Sequence, residues 1–179
     1  MKLNFVQKIP KLAQIAPVYA VAVAMIYPWS ISRFFWRLPS WLYYSSAGEI
    51  AVIFAYVMVV NLIESALVLL APVLLSVILP KKWFFEKFVT KGALLLSFSL
   101  GYVMYFDNHL NYQSPFPLDL VYQTPIILAV LFVLVFLVDW IGILDKILID
   151  LSDRLIVFLY ISIPVSLLSL LVVLIRNIF

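Results

Sequence analysis

The chain has 179 residues, of which 66% are hydrophobic and 12% charged, with no cysteine and a formal net charge of +3. Soluble domains average about 25% charged and 45–50% apolar residues, so a water-soluble globule is excluded. Intrinsic disorder, which needs low hydrophobicity, is excluded as well. The lack of cysteine removes disulfides, thiolate nucleophiles, Fe–S clusters and Cys-ligated zinc, and a lone histidine, His109, makes no two-histidine metal or haem site.

The composition predicts an all-α fold: a polytopic membrane protein forming one membrane domain, a bundle of five transmembrane helices. A basic excess in such a protein reports orientation, so nucleic acid is not an expected partner. No cofactor is expected. The expected location is the cell (plasma or inner) membrane, with the chain passing through several times.

The first apolar run, Leu12–Ser32, has 21 residues without a charge, close to the ~20 needed to cross a ~30 Å hydrocarbon core. It is longer than the 7–15 apolar residues of a signal peptide, so an uncleaved first helix over 12–32 is expected. Small residues Ala16, Ala20 and Ala24 repeat at four-residue spacing along it and predict a helix-packing face.

The segment Arg33–Ser46 reads as an outer loop. Trp36 and Trp41 stand there with Phe34, Phe35, Tyr43 and Tyr44, the composition of a headgroup-level aromatic belt. Arg33 and Arg37 are four residues apart, and guanidinium forks match phosphate geometry. These four residues (Arg33, Arg37, Trp36 and Trp41) are the candidate lipid-headgroup contacts.

The second helix is expected over 48–79, ended by Pro80. Glu64 lies at its middle, with Asn61 three residues before it and Ser65 beside it. Spacing of i, i+3 puts Asn61 and Glu64 on one face. A carboxyl at bilayer depth should be neutral or paired, and the sequence offers no Lys or Arg at its level. Glu64 is therefore either a proton, cation or polar-substrate contact, or the donor of an interhelical hydrogen bond to Tyr, Ser or Gln. A hairpin turning near 61–64 would leave backbone groups unsatisfied in lipid.

Lys81–Lys91 forms a basic segment, and a third helix is expected over 88–106. The outer segment Asp107–Asp119 follows, with Asp107, Asn108 and His109 as polar candidates and no Lys or Arg. Two ligands of this kind are too few for a metal centre, so no metal site is expected. A fourth helix is expected over 119–139. The segment 139–153 reads as an inner amphipathic helix, with Asp139, Asp145, Asp150 and Asp153 mostly on one face and Ile147, Leu148 and Leu151 on the other. A fifth helix over 154–176 carries Ser162, Ser166 and Ser169 on a second packing face.

Charge placement sets the expected topology. With five spans and the N-terminus inside, Lys2, Lys8, Lys11, Lys81, Lys82, Lys87, Lys91, Lys146 and Arg154 fall inside. Arg33, Arg37 and Arg176 fall outside. A hairpin at Glu64 would put eight of these twelve outside, so the positive-inside rule favours one long second helix and a C-terminus outside.

The run VLLSVILPKKWFFEKF, the helix ending YVMYFDNHLNY and the following SPFPLDLVYQTP resemble the membrane domains of lipoteichoic-acid-synthase-like phosphoglycerol transferases. The resemblance covers Val73–Pro125. It implies five spans with the C-terminus outside. In that family the chemistry belongs to a large extracellular domain after the fifth helix. The 179 residues include neither that domain's nucleophilic threonine nor its metal ligands, so no catalytic residue carries over. The resemblance implies a lipid-facing anchor module serving a separate partner.

No Walker loop, G-x-S-x-G or H-E-x-x-H pattern is present. The leading expectation is thus a non-enzymatic membrane subunit or scaffold that binds membrane lipid, a protein partner or a second copy at its outer aromatic face. The alternatives are a small transporter or channel subunit using Glu64, and a lipid-phosphate-processing enzyme or flippase-like factor.

Overall fold

A computed structural model of the chain describes residues 10–110, 118–137 and 142–178. Lys2, Lys8 and Asp139, named above, and most of the outer segment after Leu110 (111–117) lie outside the described residues. The described chain is all-α: α1 (Leu12–Tyr44), α2 (Ala47–Ile78), a 3-10 turn (Phe85–Lys87), α3 (Phe88–His109), α4 (Leu118–Leu137), α5 (Gly142–Leu155) and α6 (Val157–Ile178). Four helical stretches are long and apolar enough to cross a membrane: α1, α2, Phe85–His109 and Leu144–Ile178. The apolar stretch of α4, Val121–Leu137, is shorter.

The first helix departs from expectation. It runs 33 residues to Tyr44, so the predicted outer loop is helical. Arg33 marks where the uncharged run ends, but it does not end the helix. The segment RFFWRLPSWLYY holds no glycine, and one proline, Pro39, is accommodated inside the helix. At 1.5 Å per residue α1 reaches about 50 Å, well beyond the ~30 Å hydrocarbon core. It stops at Ser45, which is extended, and Ser46 opens α2 immediately. There the Ser46 backbone N–H donates to a Glu49 carboxylate oxygen at 2.7 Å, and the Glu49 N–H donates back to Ser46 Oγ at 3.3 Å. This reciprocal capping box satisfies two orphan donors at once.

The remaining elements follow the expected order. α2 is one helix through Glu64 to Ile78, and Leu79–Pro80 ends it. α3 begins at Phe88 as expected. α5 and α6 are separated only by Ile156, through a tightened turn in which Leu159 N–H donates to the Ile156 carbonyl at 2.9 Å. The acids of α5 do not all face water. Asp145 accepts from the Thr90 hydroxyl and lies 3.7 Å from Lys87 Nζ, which ties α5 to the start of α3. Lys91 is buried, with 1% exposure. Its ammonium donates to the Trp83 carbonyl and lies 5.2 Å from the Phe136 ring centroid, so its charge is satisfied where it stands.

Helix α1 is the centre of the bundle and packs on α2, α3, α5 and α6, while α4 leans on α3. The core joins Val18, Val21, Ala22 and Ile26 of α1 to Phe88, Ala93, Leu96 and Leu100 of α3. Gly92 sits at the closest approach. A Cβ there would meet the two Val18 methyls at 3.1 and 3.2 Å and Pro72 Cβ of α2 at 3.5 Å. The predicted small-residue faces are used: Ala20 is buried on α1, and Ser162, Ser166 and Ser169 are buried on α6.

Gly92 and Gly101, both on α3, provide a paired test of this junction. Nothing lies within 4 Å of a Cβ at Gly101, so Gly101→Ala is expected to hold or raise stability through helix propensity. Gly92→Ala is expected to cost about 1–2 kcal/mol relative to it through overpacking against the fully buried Val18. Thermal unfolding of both variants in one detergent measures the difference, and equal midpoints would remove the junction's importance.

Candidate functional site

A cleft of about 1190 Å³ lies between the Tyr44-end half of α1, the Ala47-end half of α2 and the His109-end half of α3. It is somewhat larger than the 300–1,000 Å³ of common small-molecule sites. Its mouth carries Arg33, Arg37, Trp41 and Asp107. Below them stand Trp29, Phe34 and Tyr56, then the apolar side chains of Val57, Val60, Leu67, Leu100, Val103 and Met104. Asn61 and Glu64 stand in its far half, with Leu67 and Val68 one turn beyond them.

The register of α1 against α2 sets the length of the cleft. The Phe34 and Phe54 ring centroids are 5.2 Å apart, which places Arg33 near the level of Phe54. Glu64 stands ten residues further along α2, or about 15 Å at 1.5 Å per residue. The gap between α2 and α3 opens sideways, since Val60 and Leu67 on one wall and Val103 on the other are exposed.

The three sequence-predicted groups prove to be two ends of this one cavity. At the mouth, Arg33 Nη2 donates to Asp107 Oδ2 at 2.7 Å and to Asn108 Oδ1 at 2.8 Å, and its guanidinium lies 4.5 Å from the Trp29 ring centroid. The headgroup and outer-loop candidates therefore join, linking α1 to α3. Both partners are about half exposed, so the ion pair adds little stability, about 0–1 kcal/mol. Its consequence is positional: Arg33 is occupied, while Arg37 is exposed with no ion pair among the described residues. Trp41 packs on Phe34 at 5.3 Å between centroids and lines the mouth. Trp36, 83% exposed, does not line it. His109 turns away from any ligand cluster. Its Nδ1 donates to the Tyr105 carbonyl at 2.8 Å, and its ring stacks 4.2 Å from that of Tyr105. No group of three metal-ligating side chains occurs among the described residues.

In the far half the expected intramembrane set divides. Ser65 is buried and points to α1, where it meets Tyr19 and donates to the Leu62 carbonyl at 3.1 Å. Thus Ser65, and not Glu64, makes the interhelical hydrogen bond. Glu64 is exposed to the cleft, with no hydrogen bond or ion pair among the described residues. Asn61 is buried, at 1% exposure, yet its Nδ2 has no partner. A buried donor without an acceptor costs about 1–3 kcal/mol. Sequence spacing placed Asn61 and Glu64 on one face, but nothing in it indicated that Arg33, 74 residues from Asp107, would share their cavity.

No known protein family, curated protein or solved structure matches the chain. The site must therefore be read from its own chemistry: a free guanidinium above, rings and aliphatic walls between, an amide donor and a carboxyl below.

With no native cysteine, single introduced thiols report this geometry directly. Glu64→Cys should react with a small maleimide in detergent at least about tenfold faster than Ser65→Cys, because thiol reactivity follows access. Equal rates would mean that the cleft does not reach α2 at Glu64.

Proposed function

We propose that this protein is a five-span integral membrane protein, N-terminus inside and C-terminus outside, that holds a phosphate-bearing lipid in the cleft between α1, α2 and α3. The observation that carries this reading is one cavity with a guanidinium, Arg37, that has no ion pair among the described residues at its mouth, and a long apolar wall beneath it. Guanidinium suits phosphate, and Trp41, Phe34 and Tyr56 suit the headgroup boundary. The walls of Val57, Val60, Val103 and Met104 suit acyl chains, which can also leave through the sideways gap.

The orientation is supported by Lys81, Lys82, Lys87 and Lys91 at the end opposite Arg33 and Arg37. α4, at 20 residues, has the length of the remaining span. The cell membrane is the location that fits this topology. The activity proposed is binding and presentation of lipid, alone or for a protein partner. The polar residues lining the cleft include Arg33, Arg37, Asp107, Glu64, Asn61, Ser30 and Tyr56, whose charges and hydrogen bonds suit holding an ion.

Native mass spectrometry of the detergent-purified protein tests the proposal. Wild type should retain a phospholipid, and Arg37→Ala should reduce that occupancy about tenfold, the worth of one charge-assisted hydrogen bond. No retained phospholipid in wild type, or unchanged occupancy in Arg37→Ala, would sink it.

A further inference from the structure

We infer that the far half of the cleft is a second headgroup station, formed by Asn61 and Glu64, for a zwitterionic lipid headgroup bearing a primary ammonium, of the phosphoethanolamine kind. This rests on the reading of the cleft as a lipid site and names the class of lipid.

Two unpartnered groups stand side by side there. Asn61 Nδ2 is a buried donor with no acceptor, and the Glu64 carboxyl faces the cleft with no partner among the described residues. Residues three apart on a helix have Cβ atoms about 5–6 Å apart, a spacing of the same order as that between phosphate and ammonium across a two-carbon linker. A phosphate oxygen accepts from the Asn61 amide, and the ammonium donates to the Glu64 carboxylate. One headgroup thus completes both.

Charge selects among headgroups. A lipid with only negative charge is drawn by Arg37 and repelled by Glu64. A zwitterion is compatible with both ends and brings no net charge to the middle of the bundle, where an unpaired charge is costly. A quaternary ammonium keeps the charge but has no N–H to donate to the carboxylate. The tails need not enter the cavity. Exposed Val60 and Leu67 on α2 and Val103 on α3 flank the sideways gap, so the tails remain in the surrounding bilayer while the headgroup occupies the cleft. The rim and the Asn61–Glu64 pair, about 15 Å apart, then form two stations on one path.

The full chain, purified in detergent, is equilibrated with equimolar phosphatidylethanolamine, phosphatidylglycerol and phosphatidylcholine of matched acyl chains, and the bound lipid is read by native mass spectrometry. Wild type is expected to prefer phosphatidylethanolamine over each of the others by about tenfold. Glu64→Gln, which keeps shape and removes charge, should bring the ratios to about one, whereas Asn61→Leu, which removes a phosphate donor common to all three lipids, should lower the occupancy of each. Arg37→Ala should reduce all three alike. Parity among the three lipids in wild type, or a preference that survives Glu64→Gln, overturns the inference and leaves lipid binding at the rim intact. Absence of any bound phospholipid overturns the rim reading along with it.

Discussion

The close approach of three helices at Gly92 governs this molecule. Val18 of α1 and Pro72 of α2 both press on the one α3 position that lacks a side chain. Even a methyl there would require Val18 to give by a few tenths of an ångström. With α1, α2 and α3 in contact at this point, α1 packs along both of its neighbours. The cleft lies away from that contact, toward the other ends of α2 and α3.

Polar contacts between helices follow a second regularity. Tyr19–Ser65 joins α1 to α2, Tyr27–Ser166 joins α1 to α6, Tyr102–Thr124 joins α3 to α4, and Thr90–Asp145 joins α3 to α5. Each bond between membrane helices is worth only about 0.6 kcal/mol on average. Their value lies in fixing register, since a hydroxyl pair is satisfied at one axial offset and broken one turn away. Against this background the Asn61 amide and the Glu64 carboxyl stand out. Ser162 Oγ on α6 is also buried without a partner, but it does not line the cleft.

Much of the fold was legible because hydrocarbon imposes simple rules. A 30-residue apolar run around Glu64 had to be one helix, as any turn there would strand backbone groups, and α2 runs unbroken through it. The end of α1 was misread because charge marks the edge of the apolar slab and not the edge of a helix. The signal for the true boundary was present in Ser46-Ala47-Gly48-Glu49, a capping-box pattern that starts α2 and leaves one extended residue before it. The site was legible only in parts. Periodicity placed Asn61 beside Glu64, and composition marked Arg33 and Arg37. That Asp107 and Asn108 would occupy Arg33 and leave Arg37 free depends on the axial offset of α3 against α1. The hydroxyl pairs and the Gly92 contact set that offset, and a one-dimensional pattern does not encode it.

The helical extension of α1 past Arg33 has a further consequence for the kind of bilayer this protein tolerates. Trp36, Trp41, Tyr43 and Tyr44 are spread over nine residues of helix, about 12 Å along its axis. An aromatic belt on a loop would gather at one level and demand one bilayer thickness. Here the aromatic rings form a graduated ladder. Membranes that differ in thickness by several ångströms each meet a different rung at their headgroup boundary.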